Sequence, residues 1–214
     1  MLATDDEVMA DILQATDSKD DAQGGRENIL SNLKSVYRNE SAAPEILEYA
    51  TDLVFQITSQ LDYQASLMDD TDLIVRYIYA QEIARIRYLL RAYQKVRLEK
   101  IEKYAHAYVS NPVYRNRLSQ SELEFATGFV RITHESLHKS VLRHLPASLQ
   151  TMDSDDMIPV PDQSAGVIFR VVEGLGTYRL ENSQRLVNLE KGSVHMTSYA
   201  SVKTLLQQNS IQLI

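Results

Sequence analysis

Residues 134–138 read His-Glu-Ser-Leu-His, a match to the H-E-x-x-H pattern of zinc-dependent hydrolases. On a helix, His134 and His138 lie four residues apart on one face and can share a metal ion. Glu135 would then serve as general base toward the metal-bound water. The pattern fixes three residues only. A zinc hydrolase also needs a third protein ligand and a sheet edge along which a peptide substrate lies. His144 is six residues on and His195 much further, and neither falls in a known third-ligand spacing. Both histidines share a helical face with Val130, Leu137, Val141 and Leu145, so they read as packed or interface histidines rather than ligands. The chain has no Walker loop, no G-x-S-x-G and no cysteine nucleophile. "EGLG" (173–176) lacks the strand–turn–helix setting of a phosphate loop and reads as a hairpin turn. No catalytic, cofactor-binding or metal-ligating residue is assigned.

The elements that would position any site are mostly helices. "ENILSNLKSVYRNE" spaces Ile29, Leu33 and Val36 by four and three, which predicts a first short helix. "SAAPEILEYATDLVFQITSQL" opens on Pro44 near a predicted helix start and repeats Leu47, Ala50, Val54, Ile57 and Leu61. A third helix is predicted from about 71 to 105, with Val75, Tyr79, Ile83, Ile86, Leu90, Tyr93, Ile101 and Tyr104 on one stripe. At 1.5 Å per residue it would span about 50 Å, more than a small single domain can cover. "SNPVYRNR" is a break. Ser119 and Glu122 form a capping-box pattern that starts a fourth helix, expected to run to about 144 and to end at Pro146.

The pattern changes after a polar, proline-containing stretch at 151–164, which reads as a linker. "GVIFRVV", "TYRLE", "RLVNLE" and the terminal "SIQLI" read as strands, "EKG" as a turn, and "TSYASVKTLLQQ" as a helix. The expected class is α+β: a mainly helical domain with one long helix over 26–150, then a small β-rich domain over 165–214. Some 50 residues are marginal for an independent core, so the second domain needs a neighbour.

Composition narrows the class. The chain has 214 residues, 44% hydrophobic and 24% charged, which is ordinary for a globular protein. No apolar run approaches the roughly 18 residues of a membrane span, and the acidic N-terminus is neither a secretory signal nor a mitochondrial presequence. Absence of cysteine excludes disulfides and thiolate metal sites. The net charge is −7, of which residues 1–25 carry −6, so a near-neutral body follows an acidic, expectedly disordered tail. Within "DDEVMADILQA", Val8, Met9, Ile12 and Leu13 recur at helical spacings, the pattern of a peptide that folds on a partner's groove.

Between 76 and 103 the long helix carries eight bases and three acids. With interleaved tyrosines this could serve a stand-alone nucleic-acid module, but the bases surround the whole circumference, which weakens a groove-reading face. Arg97 is the exception. It sits on the apolar stripe between Tyr93 and Ile101, where a charge must meet a carboxylate, from this chain or another.

The same helix, "EIARIRYLLRAYQKVRLEKIEKY", resembles the core helix of the SLD-five family of GINS subunits, which belong to a eukaryotic replication factor. The resemblance rests on Glu82, Arg85, Ile86, Arg87, Tyr88, Leu89, Tyr93, Arg97, Leu98, Lys100, Ile101 and Glu102. "NESAAPEIL" is similar to the family's N-E-x-x-A-P-E-L, "LSQSELEFA" to its L-S-x-x-E-x-x-F-A and "LRHLPASLQ" to its K-H-x-P-x-x-L-Q. The region after "PVPDQSAG" looks like its small β-rich domain. Tyr37 departs from a frequent tryptophan, and the family pattern calls for no histidine at 134 or 138.

The resemblance implies a nuclear, non-enzymatic subunit without cofactors. Its implied partners are the three paralogues Psf-one, Psf-two and Psf-three in a heterotetramer, the MCM helicase ring and its Cdc-type co-activator, with DNA contacted only indirectly. Arg85, Tyr93, Arg97 and Ile101 are expected at partner contacts. Asp11, Ile12 and Leu13 resemble the short D-I-L peptide by which fungal members bind a trimeric WD-repeat hub that links helicase to polymerase α.

Overall fold

The computed structural model describes residues 29–66, 73–146, 150, 157–180 and 186–214. The tail residues Asp11, Ile12 and Leu13 lie outside the described residues. The chain is α+β, helical first and strand-rich at its C-terminus, and it divides into two compact units.

The first unit contains residues 29–35 and 52–89 among those described. It includes the start of α1 (29–42), nearly all of α2 (Thr51–Ser66) and the opening turns of α3 (Leu73–Ser110). Leu33, Ile57, Leu61 and Ile83 are its buried apolar residues. The predicted stripe holds at Ile83, but Val75 and Tyr79 are exposed.

The second unit contains residues 36–51 and 90–214. Here α3 continues past its predicted end to Ser110, with a break in helical geometry at Tyr104. Asn111 caps the four-residue α4 (Pro112–Arg115), accepting from the Val113 N–H at 2.9 Å, and proline takes the first helical position. α5 (Gln120–Ser140) opens on the predicted capping box: Ser119 accepts from the Glu122 N–H, and Glu122 accepts from the Ser119 N–H. It stops earlier than predicted, and a 3-10 turn covers Leu142–His144.

Pro44 does not start a helix. Residues 43–50 are irregular, and α2 begins only at Thr51. The carbonyls of Glu45, Ile46 and Leu47 accept from Lys100, Arg117 and Arg97, respectively, so they are committed to buried cations instead of a helical ladder.

At the C-terminus, β1 (Gly166–Val171) is the central strand of an antiparallel sheet, flanked by β4 (Val194–Ser198) and β5 (Ile211–Leu213). Its alternation buries Val167, Phe169 and Val171 against α6 (Tyr199–Gln207), which contributes Tyr199, Val202, Leu205 and Leu206. β2 (Gly176–Arg179) and β3 (Leu186–Leu189) form a separate antiparallel pair. "EGLG" therefore joins strands of two different sheets and is not a hairpin turn. Gly192, at φ 86°, makes the predicted "EKG" turn and donates to the Val171 carbonyl at 2.8 Å. The core of this strand-rich half is completed by Ala42, Ala43 and Leu47 from the helical half, so the small domain does have the neighbour it needs.

Candidate functional site

The second unit is built around Arg97, which is fully buried. Its Nε donates to Glu122 Oε1 at 2.7 Å and Nη2 to Glu122 Oε2 at 2.9 Å. Nη1 donates to Glu40 Oε2 at 3.1 Å and to the Leu47 carbonyl at 2.8 Å, and Nη2 donates also to the Arg117 carbonyl at 3.0 Å. All five guanidinium N–H groups have acceptors, the condition for burying such a charge. The rings of Tyr49 and Tyr93 lie 5.1 and 5.7 Å from the guanidinium carbon, adding cation–π attraction. Burial alone would favour losing the proton, but the Glu122 hydrogen bonds and the Glu40 charge outweigh it and hold the guanidinium more firmly protonated than usual.

The network extends through Lys100 to a third carboxylate, Glu45. Lys100 Nζ reaches Glu40 Oε1 at 2.8 Å, the Glu45 carbonyl at 3.0 Å and the Glu40 carbonyl. Burial pulls the Lys100 pKa below its ordinary value, with Glu40 opposing. Glu45 meets Arg117 Nη1 at 3.0 Å, Lys203 Nζ at 2.9 Å and the Tyr199 hydroxyl at 2.9 Å. Burial would raise the Glu45 pKa; the Lys203 hydrogen bond, the Arg117 charge and the Tyr199 hydroxyl together bring it below the usual carboxylate value.

The sequence-predicted site residues separate into three groups. Tyr93, Arg97 and Ile101 are wholly buried within this chain. The carboxylates that Arg97 requires come from the same chain. Tyr93 accepts from the Ala50 N–H at 3.3 Å, and Ile101 packs in a cluster with Ile46, Tyr108 and Ala126. Arg85 is exposed and pairs with Glu82 at 3.3 Å. Asp11, Ile12 and Leu13 are outside the described residues. Sequence reasoning missed Glu40, Glu45, Lys100, Arg117, Tyr199 and Lys203 as members of one network. The available signal was two carboxylates five residues apart inside the otherwise uncharged "NESAAPEIL".

The zinc-like motif stays in the solvent. His134 and His138 are exposed on α5 with their rings 6.3 Å apart, and Glu135 pairs with Lys139 at 3.7 Å. Their neighbours Leu137, Val141 and Leu145 are exposed too, so the packed stripe inferred for these histidines is absent within this chain. Among the described residues no group of three or more His, Cys, Asp or Glu side chains could hold a metal ion.

Large apolar side chains instead mark out faces. In the first unit Leu73, Ile74, Tyr77 and Ile78 are exposed on the opening turns of α3, Leu73 by 75%. In the second, Phe125 and Ile132 are exposed seven residues apart on one side of α5, and Leu137 and the cap residue Val141 are exposed four apart at its C-terminal end. Ile168 and Met196, paired across β1 and β4, are exposed on the outer face of the sheet. Large exposed apolar patches mark interaction surfaces in folded proteins.

The class of fold is a helical bundle followed by a small C-terminal sheet, with a buried ion network inside and large apolar side chains exposed outside. Two family profiles match it in that order: the GINS complex protein helical bundle domain over residues 30–141, and the C-terminus of the DNA replication complex GINS protein SLD5 over residues 161–214. The human DNA replication complex GINS protein SLD5 is 32% identical over 214 residues, covering 91% of this chain and 96% of its own. Its Arabidopsis thaliana counterpart is 32% identical over 196 residues, covering 85% and 89%. The Schizosaccharomyces pombe protein is 26% identical over 198 residues, covering 88% and 92%. This chain belongs to the SLD5 family of GINS proteins.

Proposed function

We propose that this chain works by assembly rather than catalysis, as the SLD5 subunit of a nuclear GINS heterotetramer with Psf-one, Psf-two and Psf-three. The tetramer would act with the MCM ring and its Cdc-type co-activator as part of the replicative helicase, ATP hydrolysis belonging to the ring and DNA being contacted only indirectly. The division of labour we infer is an acidic docking tail over 1–25, a helical domain over 26–150, a linker over 151–164 and a strand-rich domain over 165–214. Arg85, exposed on α3, is a partner contact in this reading, and Asp11, Ile12 and Leu13 are the docking residues for the trimeric WD-repeat hub.

The observation that carries the reading is the set of exposed apolar side chains on α3 and α5 in a chain of this family. Interfaces between permanent partners resemble a protein core cut in half, and these faces have that composition. The test compares sedimentation of the chain expressed alone with that of the chain co-expressed with its three paralogues. Self-association alone and a single defined species together support the reading. A monodisperse chain that ignores its paralogues contradicts it.

A further inference from the structure

What the helical half contributes to the core of the strand-rich half is Ala42, Ala43 and Leu47. Two alanines and one leucine remove only a modest area from water, so much of the adhesion between the halves falls to polar contacts. These converge on Glu45. From the helical side it holds Arg117 at 3.0 Å. From the strand-rich side it receives the Tyr199 hydroxyl and Lys203 Nζ, each at 2.9 Å, and the Gln163 amide at 3.4 Å. A second tie runs from the Leu213 N–H to Asn39 Oδ1 at 2.9 Å.

We propose that Glu45 is a latch that positions the strand-rich half on the helical half, and that the latch opens without unfolding either one. A buried ion pair is costly to break when one partner is left as an uncompensated charge. Glu45 escapes that cost because it has a cation on each side. When Lys203 and Tyr199 depart, Arg117 remains, anchored to the Ile46 carbonyl at 3.0 Å. Lys203 is already 27% exposed and regains water on release. Each side also has internal ties of its own: the Arg97 network draws on residues 40–122 alone, and the β4-β1-β5 sheet packs on its own α6.

Hydrogen–deuterium exchange on the full chain, held with its co-purified subunits, tests the latch. Lys203→Glu sets a carboxylate against Glu45, and Lys203→Met keeps the stem while removing the charge. In Lys203→Glu the Leu213 amide, which donates across to Asn39, is expected to exchange about tenfold faster or more. The Tyr49 amide, bonded to the Arg117 carbonyl within the helical half, and the β1–β4 ladder should be unchanged. Lys203→Met should accelerate the same amide by less, and it decides the matter by the same readout where Lys203→Glu does not fold. Unchanged Leu213 exchange overturns the latch. Equal acceleration at all three places overturns it too, because Lys203 would then support global stability and not one contact.

Discussion

Glu122 holds Arg97 with both carboxylate oxygens, at 2.7 and 2.9 Å, while one of those oxygens also accepts from the Ser119 N–H that opens α5. One side chain therefore caps a helix and neutralises the buried cation of another. Removing it would damage both tasks at once.

This sharing predicts a rank order of stability losses. Ser119→Ala removes one cap hydrogen bond and should cost about 1 kcal/mol, or roughly 2–4 °C in melting temperature. Arg97→Met strands Glu122 in the interior, leaves Glu40 with Lys100 alone, and should cost about 3–5 kcal/mol. Glu122→Gln should fall between them, since Glu40 still neutralises Arg97. Thermal melts of the full-length variants measure the order, and an Arg97→Met variant that melts like Ser119→Ala would refute the role given to the network.

Acid should weaken the fold partly through Glu45. Its folded pKa lies below the ordinary 4.5, so its contribution is fully present above pH 4.5 and is lost as pH falls through the folded value. The groups facing it are Arg117, Lys203 and Tyr199. Melting temperature followed from pH 7 to 3 should drop less steeply below pH 4.5 in Glu45→Gln than in the unaltered chain.

Base should weaken it through Tyr93, whose pKa burial pushes from 10.0 up to about 12, with Arg97 opposing and Glu40 and Glu122 reinforcing. A raised folded pKa gives stability that is whole below pH 10 and lost between 10 and about 12. Tyr93→Phe should be flatter over that window, as read by melting temperature at each pH.

Replacing His134 and His138 together by alanine should leave metal content unchanged and stability within about 0.5 kcal/mol, as for exposed sites lacking a structural role. Elemental analysis and a melt decide it. Zinc near one atom per chain that disappears in the double variant would restore the hydrolase reading.

The tail makes a separate prediction. Burying Ile12 and Leu13 in a groove supplies about 1.5–3 kcal/mol each before ordering costs, so a peptide of residues 1–20 should bind the WD-repeat hub with roughly micromolar affinity, raised by the hub's multivalency. Equal binding by a peptide carrying both Ile12→Ala and Leu13→Ala would end the docking proposal without touching the family assignment.

How much was legible in the sequence varies with the physics involved. Local signals transferred well: the Ser119–Glu122 box and the alternation of β1 need only nearby residues. Arg97 announced itself by standing on an apolar stripe, but the address of its carboxylates is a tertiary matter, and both proved to be internal. Pro44 misled because the spacing of Leu47, Ala50 and Val54 runs continuously through a segment whose carbonyls are taken by Lys100, Arg117 and Arg97. β4 was missed because its apolar residues Val194 and Met196 face outward while His195 lies 5.7 Å from the Phe169 ring, the reverse of a core strand's alternation. The proposed assembly accounts for that inversion and for the exposed apolar side chains of α3 and α5 alike, as apolar surface left for other chains.

Native mass spectrometry of the chain co-expressed with Psf-one, Psf-two and Psf-three tests that cause most directly. The account predicts a single complex containing one copy of each subunit, from which the chain does not separate under mild activation. Recovery of the chain by itself, as a folded monomer with no paralogue bound, would contradict it.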